Sequence, residues 1–140
     1  MNVIKEQILE LMQGPTLMSV STVTQDGKPW SRYVVGVTRP DMTILFATAL
    51  DSRKVSQIRK NPEVHVHCGV SDLQSAKAYV QVQGTAQIST DDMLRKSMWS
   101  NALSSYFSGP DDPNFCVCVI KPYRIELMNM TEMLPKIWHP

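Results

Sequence analysis

The sequence predicts a mainly β, α+β fold in which a small antiparallel barrel carries a few helices on its outside. Apolar residues recur with a period of two over most of the 140-residue chain, which is typical of half-buried strands. These strands follow one another in hairpin-like groups, with too few helices between them for a doubly wound parallel sheet. Closing the sheet into a barrel is the natural solution, because closure removes exposed strand edges.

The elements are expected in the order α β β β α β β α β β. Helices are expected over 2–13, 52–60 and 90–103, and strands over 16–24, 29–39, 42–48, 63–70, 78–89, 114–122 and 123–130. Apolar positions 4, 8, 11 and 12 form one face of the first helix, which Gly14-Pro15 ends. Asp26-Gly27 is a tight-turn signal between the first two strands.

The strand expected over 78–89 has the clearest alternation in the chain. Apolar residues share one face and polar residues or Tyr share the other, namely Ala78, Val80, Val82, Ala86 and Ile88 against Tyr79, Gln81, Gln83, Thr85 and Gln87. The following helix is expected to be capped by Thr90, with Asp91 and Asp92 in its first turn.

Composition limits the classes of function. The length fits one domain over 1–140, and 43% hydrophobic with 19% charged residues is ordinary for a globular protein. A net charge of +1 gives no electrostatic reason to expect nucleic acid or a membrane as a partner. No apolar run approaches the roughly 20 residues of a membrane span, and three cysteines make no disulfide framework. We therefore expect a cytoplasmic protein.

The start of the helix expected over 52–60 has an unusual charge pattern. Ser52 is followed by Arg53 and Lys54, although a helix N-terminus already carries partial positive charge and free N–H groups. A bound anion would turn this repulsion into attraction, since N–H groups, a hydroxyl and cations all favour it. The alternative is that both cations lie on a solvated face with Asp51 as the cap. Arg32, a charge in the middle of an apolar strand, favours the anion site.

The stretch "PWSRYVVGV…ILFATALDSRKVSQIRKNPEVHV" resembles the pyridoxamine 5′-phosphate oxidase-like family of FMN-binding split β-barrels. The shared pattern is an Arg in the second strand, a strand ending in Thr, Ser-Arg-Lys, an apolar helix and Asn-Pro-x-Val. "YVQVQGTAQIS" and "MWSNALSSYFSGPDDPNFCVCVIKP" are similar to the general-stress-protein branch, so the resemblance covers about residues 16–130. It implies a six-stranded antiparallel split β-barrel with Greek-key connections and flanking helices.

The resemblance also implies a ligand and its contacts. FMN would bind at the interface of a homodimer, with its phosphate and its ring on the following residues: Arg32, Ser52, Arg53 and Lys54 for the phosphate, and Tyr33, Val34, Val35, Ala47 and Thr48 for the ring. Trp99 and Phe107 are the candidates for the second subunit's contribution, although both are equally typical of core or interface aromatics.

The chain departs from the vitamin-oxidising members of the family. Val37 stands where they carry a Lys, Tyr79 replaces a flavin-contacting Gln, and "KIWHP" does not match their C-terminal Trp and Arg-x-His signature. These differences favour flavin binding without pyridoxamine phosphate oxidase activity.

The sequence therefore predicts an FMN-dependent oxidoreductase with a small-molecule electron donor and acceptor, and no side chain is singled out as an acid or a base. Three alternatives remain open: a non-catalytic flavin-binding or stress-related protein, the same fold holding a deazaflavin or haem, and an interaction module without a ligand.

Other clusters point to ordinary packing. His65 and His67 share one strand face and Cys116 and Cys118 share another, which would make a zinc site only if the two strands were adjacent. Neither pair has the usual finger spacing, and no cation or helix start lies near Cys68 or the Cys pair to activate a thiol. We expect no metal site and inert core cysteines.

Overall fold

The structure, a computed structural model, describes residues 2–140, so Met1 of the expected 1–140 domain lies outside the described residues. Three α-helices, one 3₁₀ helix and seven strands follow one another along the chain: α1 (Val3–Leu11), β1 (Thr16–Val23), β2 (Pro29–Thr38), β3 (Ile44–Ala49), α2 (Arg53–Lys60), β4 (Glu63–Cys68), β5 (Ala78–Ser89), α3 (Asp92–Met98), the 3₁₀ helix (Asn101–Ser105), β6 (Phe115–Asn129) and β7 (Pro135–Trp138).

Six strands close into an antiparallel barrel, which confirms the predicted fold. The strand order is β3-β2-β1-β4-β5-β6, and β6 returns to pair with β3. Strands β1 to β3 are neighbours in sequence, and the chain then crosses through α2 to place β4 beside β1, which is the Greek-key arrangement. Because β3 and β6 pair from Ile44↔Ile120 to Ala49↔Phe115, the sheet has no free edge on that side.

The barrel is opened by a gap between β2 and β3. These two strands pair only at Val37↔Leu45 and Thr38↔Ile44, although β2 runs over ten residues. The first part of β2 pairs with β1 alone, so it diverges from the end of β3. Helix α2 follows β3 directly and therefore begins beside this gap.

The two strands predicted over 114–122 and 123–130 are a single strand, β6. A bulge keeps it continuous across Pro122: Gln83 pairs with Arg124 and Gly84 with Pro122, which leaves Tyr123 as the extra residue. Gly84 is needed there, because a Cβ atom would lie 2.9 Å from the carbonyl oxygen of Lys121. The prediction broke the strand at Pro122 because proline lacks a ladder N–H.

Strand β7 was not predicted. This strand has only four residues, begins at Pro135 and shows no alternation of polar and apolar residues. It extends the sheet beyond the barrel by pairing with β6, and it brings Trp138 into the main core, where the side chain is 7% exposed.

The helix predicted over 90–103 is shorter than expected. Asp91, not Thr90, is the N-cap of α3, and its side chain accepts a hydrogen bond from the Leu94 N–H. The helix ends at Met98 because Trp99 and Ser100 have extended backbone angles, and the chain resumes as the 3₁₀ helix. No Gly or Pro marks this break in the sequence.

Apolar side chains form two clusters. The larger one fills the barrel and includes Met18, Val20, Phe46, Val66 and Ile120. A smaller one lies on the outer face of β3 and β6, where Leu45, Phe115 and Val117 pack under residues from α3 and the 3₁₀ helix. The second cluster fixes the 3₁₀ segment over the end of β3. Within residues 2–140, no helix has the length and apolar character that crossing a membrane requires.

Candidate functional site

A groove of about 530 Å³ lies in the gap between β2 and β3. Its walls come from the middle of β2, the end of β3, the start of α2 and the segment around the 3₁₀ helix: Tyr33, Val34, Val35, Ala47, Thr48, Ala49, Lys54, Leu103, Tyr106 and Phe107. This volume is in the range of small-molecule sites, and the lining is mostly apolar with a few polar groups at one end.

The polar end of the groove is the beginning of α2. Ser52 is the N-cap, but its side chain makes no capping hydrogen bond, and the first turn contains no acidic residue. Buried Val55 and Ile58 hold the helix against the barrel, so its first turn keeps a fixed position beside β3. Asp51, the alternative cap, instead accepts a hydrogen bond from the side chain of Asn114.

Lys54 points to the groove and is held there by a neutral partner. Its Nζ donates a hydrogen bond of 2.7 Å to Oγ1 of Thr48, which is 5% exposed. The Thr48 hydroxyl also lies 3.4 Å from that of Ser52. Burial, and secondly the charge of Arg32, lower the pKa of Lys54 from its ordinary value.

Arg32 is the second cation near this end of the groove. It is half-buried on β2 and donates to Thr22 Oγ1 at 2.7 Å. Burial, and secondly the charge of exposed Arg53, lower the pKa of Arg32. The three cations are therefore close enough to repel one another.

None of these three cations has a carboxylate partner among residues 2–140. The ion pairs of the described chain lie elsewhere, at Lys28–Asp26, Arg95–Asp92 and Arg124–Glu126. A partly buried cation usually has an opposite charge nearby, because desolvation of an unpaired charge is costly. An anion bound at this end would supply that missing charge and reverse both pKa shifts.

The structure brings most of the predicted site residues together. Six of them line the groove, namely Tyr33, Val34, Val35, Ala47, Thr48 and Lys54. The Ser52 hydroxyl lies beside that of Thr48. Arg32 is close enough to Lys54, and Arg53 to Arg32, for their charges to interact.

The two predicted aromatic contacts differ in position. Trp99 is half-buried and packs edge-on against Phe115, with ring centroids 5.7 Å apart, and it does not line the groove. Phe107 lines the groove of its own chain and packs on the same Phe115.

Sequence reasoning did not identify Ala49, Leu103 or Tyr106 as groove residues. Tyr106 is 77% exposed in the structure, and no periodicity or motif in the sequence marks it as part of a site. Leu103 and Tyr106 reach the groove because the chain turns back after Trp99, which no local pattern indicates.

The condition under which the two histidines and two cysteines would make a zinc site, adjacent strands, is not met. Strand β5 separates β4 from β6, so the two pairs are not on adjacent strands. Cys116 and Cys118 are fully buried, and burial raises their pKa values to about 11 and about 12. Residues 2–140 contain no group of three His, Cys, Asp or Glu side chains placed to hold a metal.

Comparison with known proteins agrees with this geometry. The sequence profile of the family described as "Pyridoxamine 5'-phosphate oxidase" matches residues 4–129. The chain belongs to this family. Members of the pyridoxamine 5′-phosphate oxidase family typically bind flavin, and the recognition made from the sequence is confirmed.

Within the family, the chain is similar over nearly its whole length to general stress proteins. It is 36% identical to General stress protein 26 of Bacillus subtilis (strain 168) over 132 residues, which is 94% of this chain and 93% of that protein. The crystal structure of the General Stress Protein 26 from Bacillus anthracis str. Sterne superposes with a TM-score of 0.82 at 29% identity, covering 98% of both chains.

The similarity to the oxidase itself is partial. The pyridoxine/pyridoxamine 5'-phosphate oxidase of Shewanella woodyi is 33% identical over 87 residues, which is 61% of this chain but only 39% of that enzyme.

More distant structures share the fold alone. A heme binding protein from Mycobacterium smegmatis has a TM-score of 0.80 at 16% identity, covering 99% of this chain and 59% of that one. A structure titled F420 Reductase has a TM-score of 0.66 at 20% identity, covering 84% and 94%.

Proposed function

We propose that this protein is an oxidoreductase that binds FMN at a homodimer interface and uses it as its redox cofactor. The observation that carries the proposal is the position of Lys54 at the end of an apolar groove. Its ammonium group donates a hydrogen bond to the Thr48 hydroxyl and has no carboxylate partner among residues 2–140. Family membership supports a flavin in general, and the cluster of positive charge supports a ligand that carries a phosphate group, as FMN does.

The residues present fit the phosphate of FMN. The cluster of Arg32, Arg53, Lys54 and Ser52 offers planar guanidinium forks, an ammonium group and a hydroxyl, all of which donate hydrogen bonds to phosphate oxygens. The free N–H groups at the start of α2 add further donors, because Ser52 leaves them without a side-chain cap. A dianion here would offset the mutual repulsion of the cations.

The rest of the groove fits a flat, mostly apolar ring. Tyr33, Val34 and Val35 form one wall, and Ala47 and Thr48 form the opposite wall, where small side chains leave space. Tyr106 and Phe107 add aromatic surface suited to a conjugated ring. The Thr48 hydroxyl keeps Lys54 at the phosphate end.

When bound, FMN supplies the redox chemistry, taking hydride from a donor such as a reduced nicotinamide and passing electrons to an acceptor. The protein binds and orients the ligand. In this proposal, the chain's part is to anchor the phosphate and to orient the ring.

An exposed apolar patch supports the homodimer. Tyr33 and Val35 are 76% and 60% exposed on the rim of the groove, and Leu17, the cross-strand neighbour of Val35, is 60% exposed. Apolar side chains clustered at the mouth of a ligand groove are typical of a surface that a partner covers. In the dimer, Trp99 is the proposed aromatic contribution of the second subunit.

The test is to purify the protein and identify what it holds. We expect a yellow preparation whose released chromophore has the mass and absorption spectrum of FMN, and a sedimentation coefficient of a dimer. Steady-state oxidation of NADH or NADPH by the holoprotein then separates an enzyme from a protein that only stores flavin. A colourless protein that fails to bind added FMN would contradict the proposal.

Haem and deazaflavin are the alternatives that the distant structures suggest. The residues lining the groove, all within 2–140, include no His, Cys or Met, and Tyr33 and Tyr106 would be the only candidate iron ligands. A Soret absorption band in the purified protein would favour haem, and a chromophore whose mass and absorption spectrum match a deazaflavin rather than FMN or FAD would favour the deazaflavin.

A further inference from the structure

Arg32 is held in place by hydrogen-bond acceptors that are all uncharged. Its Nη1 donates to Thr22 Oγ1 at 2.7 Å and to the carbonyl oxygens of Trp30 at 3.2 Å and Val20 at 3.4 Å. Its Nη2 donates to Gln57 Oε1 at 3.2 Å. A half-buried arginine is more commonly fixed by a carboxylate, which would cancel its charge.

Thr22 and Gln57 form a buried pair behind the guanidinium. Thr22 is 1% exposed and Gln57 is 8% exposed. The Thr22 hydroxyl donates to Gln57 Oε1 at 2.6 Å while it accepts from Arg32. Because an arginine N–H can only donate, the Gln57 atom facing it must be the oxygen, which fixes the orientation of the amide.

This network leaves part of the guanidinium free on one side. Nη1 shares its two hydrogens among three acceptors, and Nη2 donates one hydrogen to Gln57. The Nε hydrogen and the second Nη2 hydrogen have no acceptor among residues 2–140. Nε and Nη2 form the edge of an arginine that binds two oxygens of a phosphate or a carboxylate.

We propose that Thr22 and Gln57 are positioning residues that fix Arg32 through neutral hydrogen bonds, so that its whole positive charge is available to a ligand phosphate. This inference rests on the proposed function and deepens it. Gln57 lies on the same helix as Arg53 and Lys54, so α2 supplies two cations to the phosphate end and also anchors the third.

The competing explanation is that Thr22 and Gln57 only satisfy each other where α2 packs on β1. The substitution Gln57→Glu tests whether the anchor must be uncharged, because it keeps the shape and both acceptor contacts but adds a negative charge beside Arg32. Variants of Thr22 separate positioning from a purely structural role, since they remove one hydrogen bond of the anchor without adding a charge.

The experiment measures phosphate discrimination, defined as the Kd for riboflavin divided by the Kd for FMN, by titrating the apo protein with each. For Gln57→Glu we expect discrimination to fall roughly tenfold, because the new carboxylate neutralises one cation of the cluster. The control is Gln7→Glu, at an exposed position of α1. It adds the same charge away from the site and should leave discrimination unchanged.

Thr22 gives a second pair of variants, which changes the anchor without adding a charge. Thr22→Val removes the hydroxyl with little change in volume and should lower discrimination several-fold, roughly the value of one hydrogen bond. Thr22→Ser keeps the hydroxyl and should restore it. Denaturation in urea shows whether each apo variant is folded, so loss of fold is not mistaken for loss of positioning.

The outcomes separate the two proposals. Equal affinity of the unaltered protein for FMN and riboflavin overturns the phosphate site, and this inference with it. Normal discrimination that neither Gln57→Glu nor Thr22→Val reduces overturns the inference alone. Reduced discrimination in both variants, with rescue by Thr22→Ser, supports it.

Discussion

Two helix starts in this chain are built in opposite ways. At α3, Asp91 caps the first turn by accepting from Leu94 N–H at 2.9 Å, and Asp92 pairs with Arg95 at 2.6 Å. At α2, Ser52 makes no capping hydrogen bond with its side chain, and Arg53 and Lys54 occupy the first turn.

The difference separates a structural helix start from one suited to a ligand. The acidic residues of α3 satisfy its N–H groups and complement its dipole within the chain itself. The start of α2 has neither a side-chain cap for its N–H groups nor a negative charge to complement its dipole, and it lies at the polar end of a groove. A bound phosphate would supply hydrogen-bond acceptors and negative charge to the start of α2, as Asp91 and Asp92 do at the start of α3.

The largest effect should come from removing the cations of α2. The double change Arg53→Ala and Lys54→Ala should weaken FMN binding by about a hundredfold or more, since charged hydrogen bonds contribute about 1.5–3 kcal/mol each. Riboflavin, which has no phosphate, should bind almost as before. Fluorescence titration of the apo protein with both ligands measures this.

The same helix provides the matched control. Arg59→Ala with Lys60→Ala removes an identical pair of residues from the last turn of α2 and should leave the affinity for FMN intact. Equal weakening of FMN and riboflavin by the first-turn variant would contradict a phosphate role.

FMN affinity should also depend on the protonation of Lys54. Because burial and Arg32 lower its pKa, the free protein should lose this proton at a lower pH than an ordinary lysine does. Affinity should therefore fall as pH rises through that lowered pKa, by about tenfold per pH unit at most for one proton. Kd measured against pH for FMN, with riboflavin and Lys54→Gln as references, checks this. A Lys54→Gln profile identical to that of the unaltered protein would contradict it.

The two N-caps should differ in their effect on stability. Asp91→Ala should lower the free energy of unfolding by about 1 kcal/mol, because it removes a hydrogen-bonded cap. Ser52→Ala should cost less in the apo protein, since its hydroxyl makes no capping bond. Urea denaturation with and without saturating FMN measures both. The comparison fails if Ser52→Ala costs the apo protein as much as Asp91→Ala does.

The smallest effect is a gain in stability from giving α2 an acidic first turn. Arg53→Glu should stabilise the apo protein by about 0.5 kcal/mol while it weakens FMN binding, because a negative charge favours a helix N-terminus. Arg59→Glu, the same change at the C-terminal end, should have the opposite sign. A loss of apo stability in Arg53→Glu would show that Arg53 already has a stabilising partner.

Much of this contrast could be predicted from the sequence, since caps and first-turn charges are local features. The barrel was predicted from alternation, as in β5, and the proposed phosphate site from the charge pattern of Ser52, Arg53 and Lys54. The predictions were wrong at Pro122, where a strand continues, and at Trp99, where a helix has already ended. At both positions the structure depends on residues distant in sequence. Gly84 accommodates the bulge across Pro122, and packing on Phe115 accompanies the end of α3 at Trp99.

The rest of the site depends on contacts between residues far apart in sequence. Thr22 and Gln57 are separated by 35 residues, and their hydrogen bond exists only because α2 crosses β1 in this register. Tyr106 reaches the groove because the 3₁₀ segment is held by the outer cluster on Phe115. Neither relation leaves a periodic pattern that sequence reasoning could use.

A crystal structure of the protein with FMN is the most direct test of the account. We predict that the phosphate lies at the start of α2, within hydrogen-bond reach of Lys54 Nζ and of the free edge of Arg32. A phosphate found at the opposite end of the groove, or exposed to solvent with Arg32 and Lys54 still unpaired, would contradict the account.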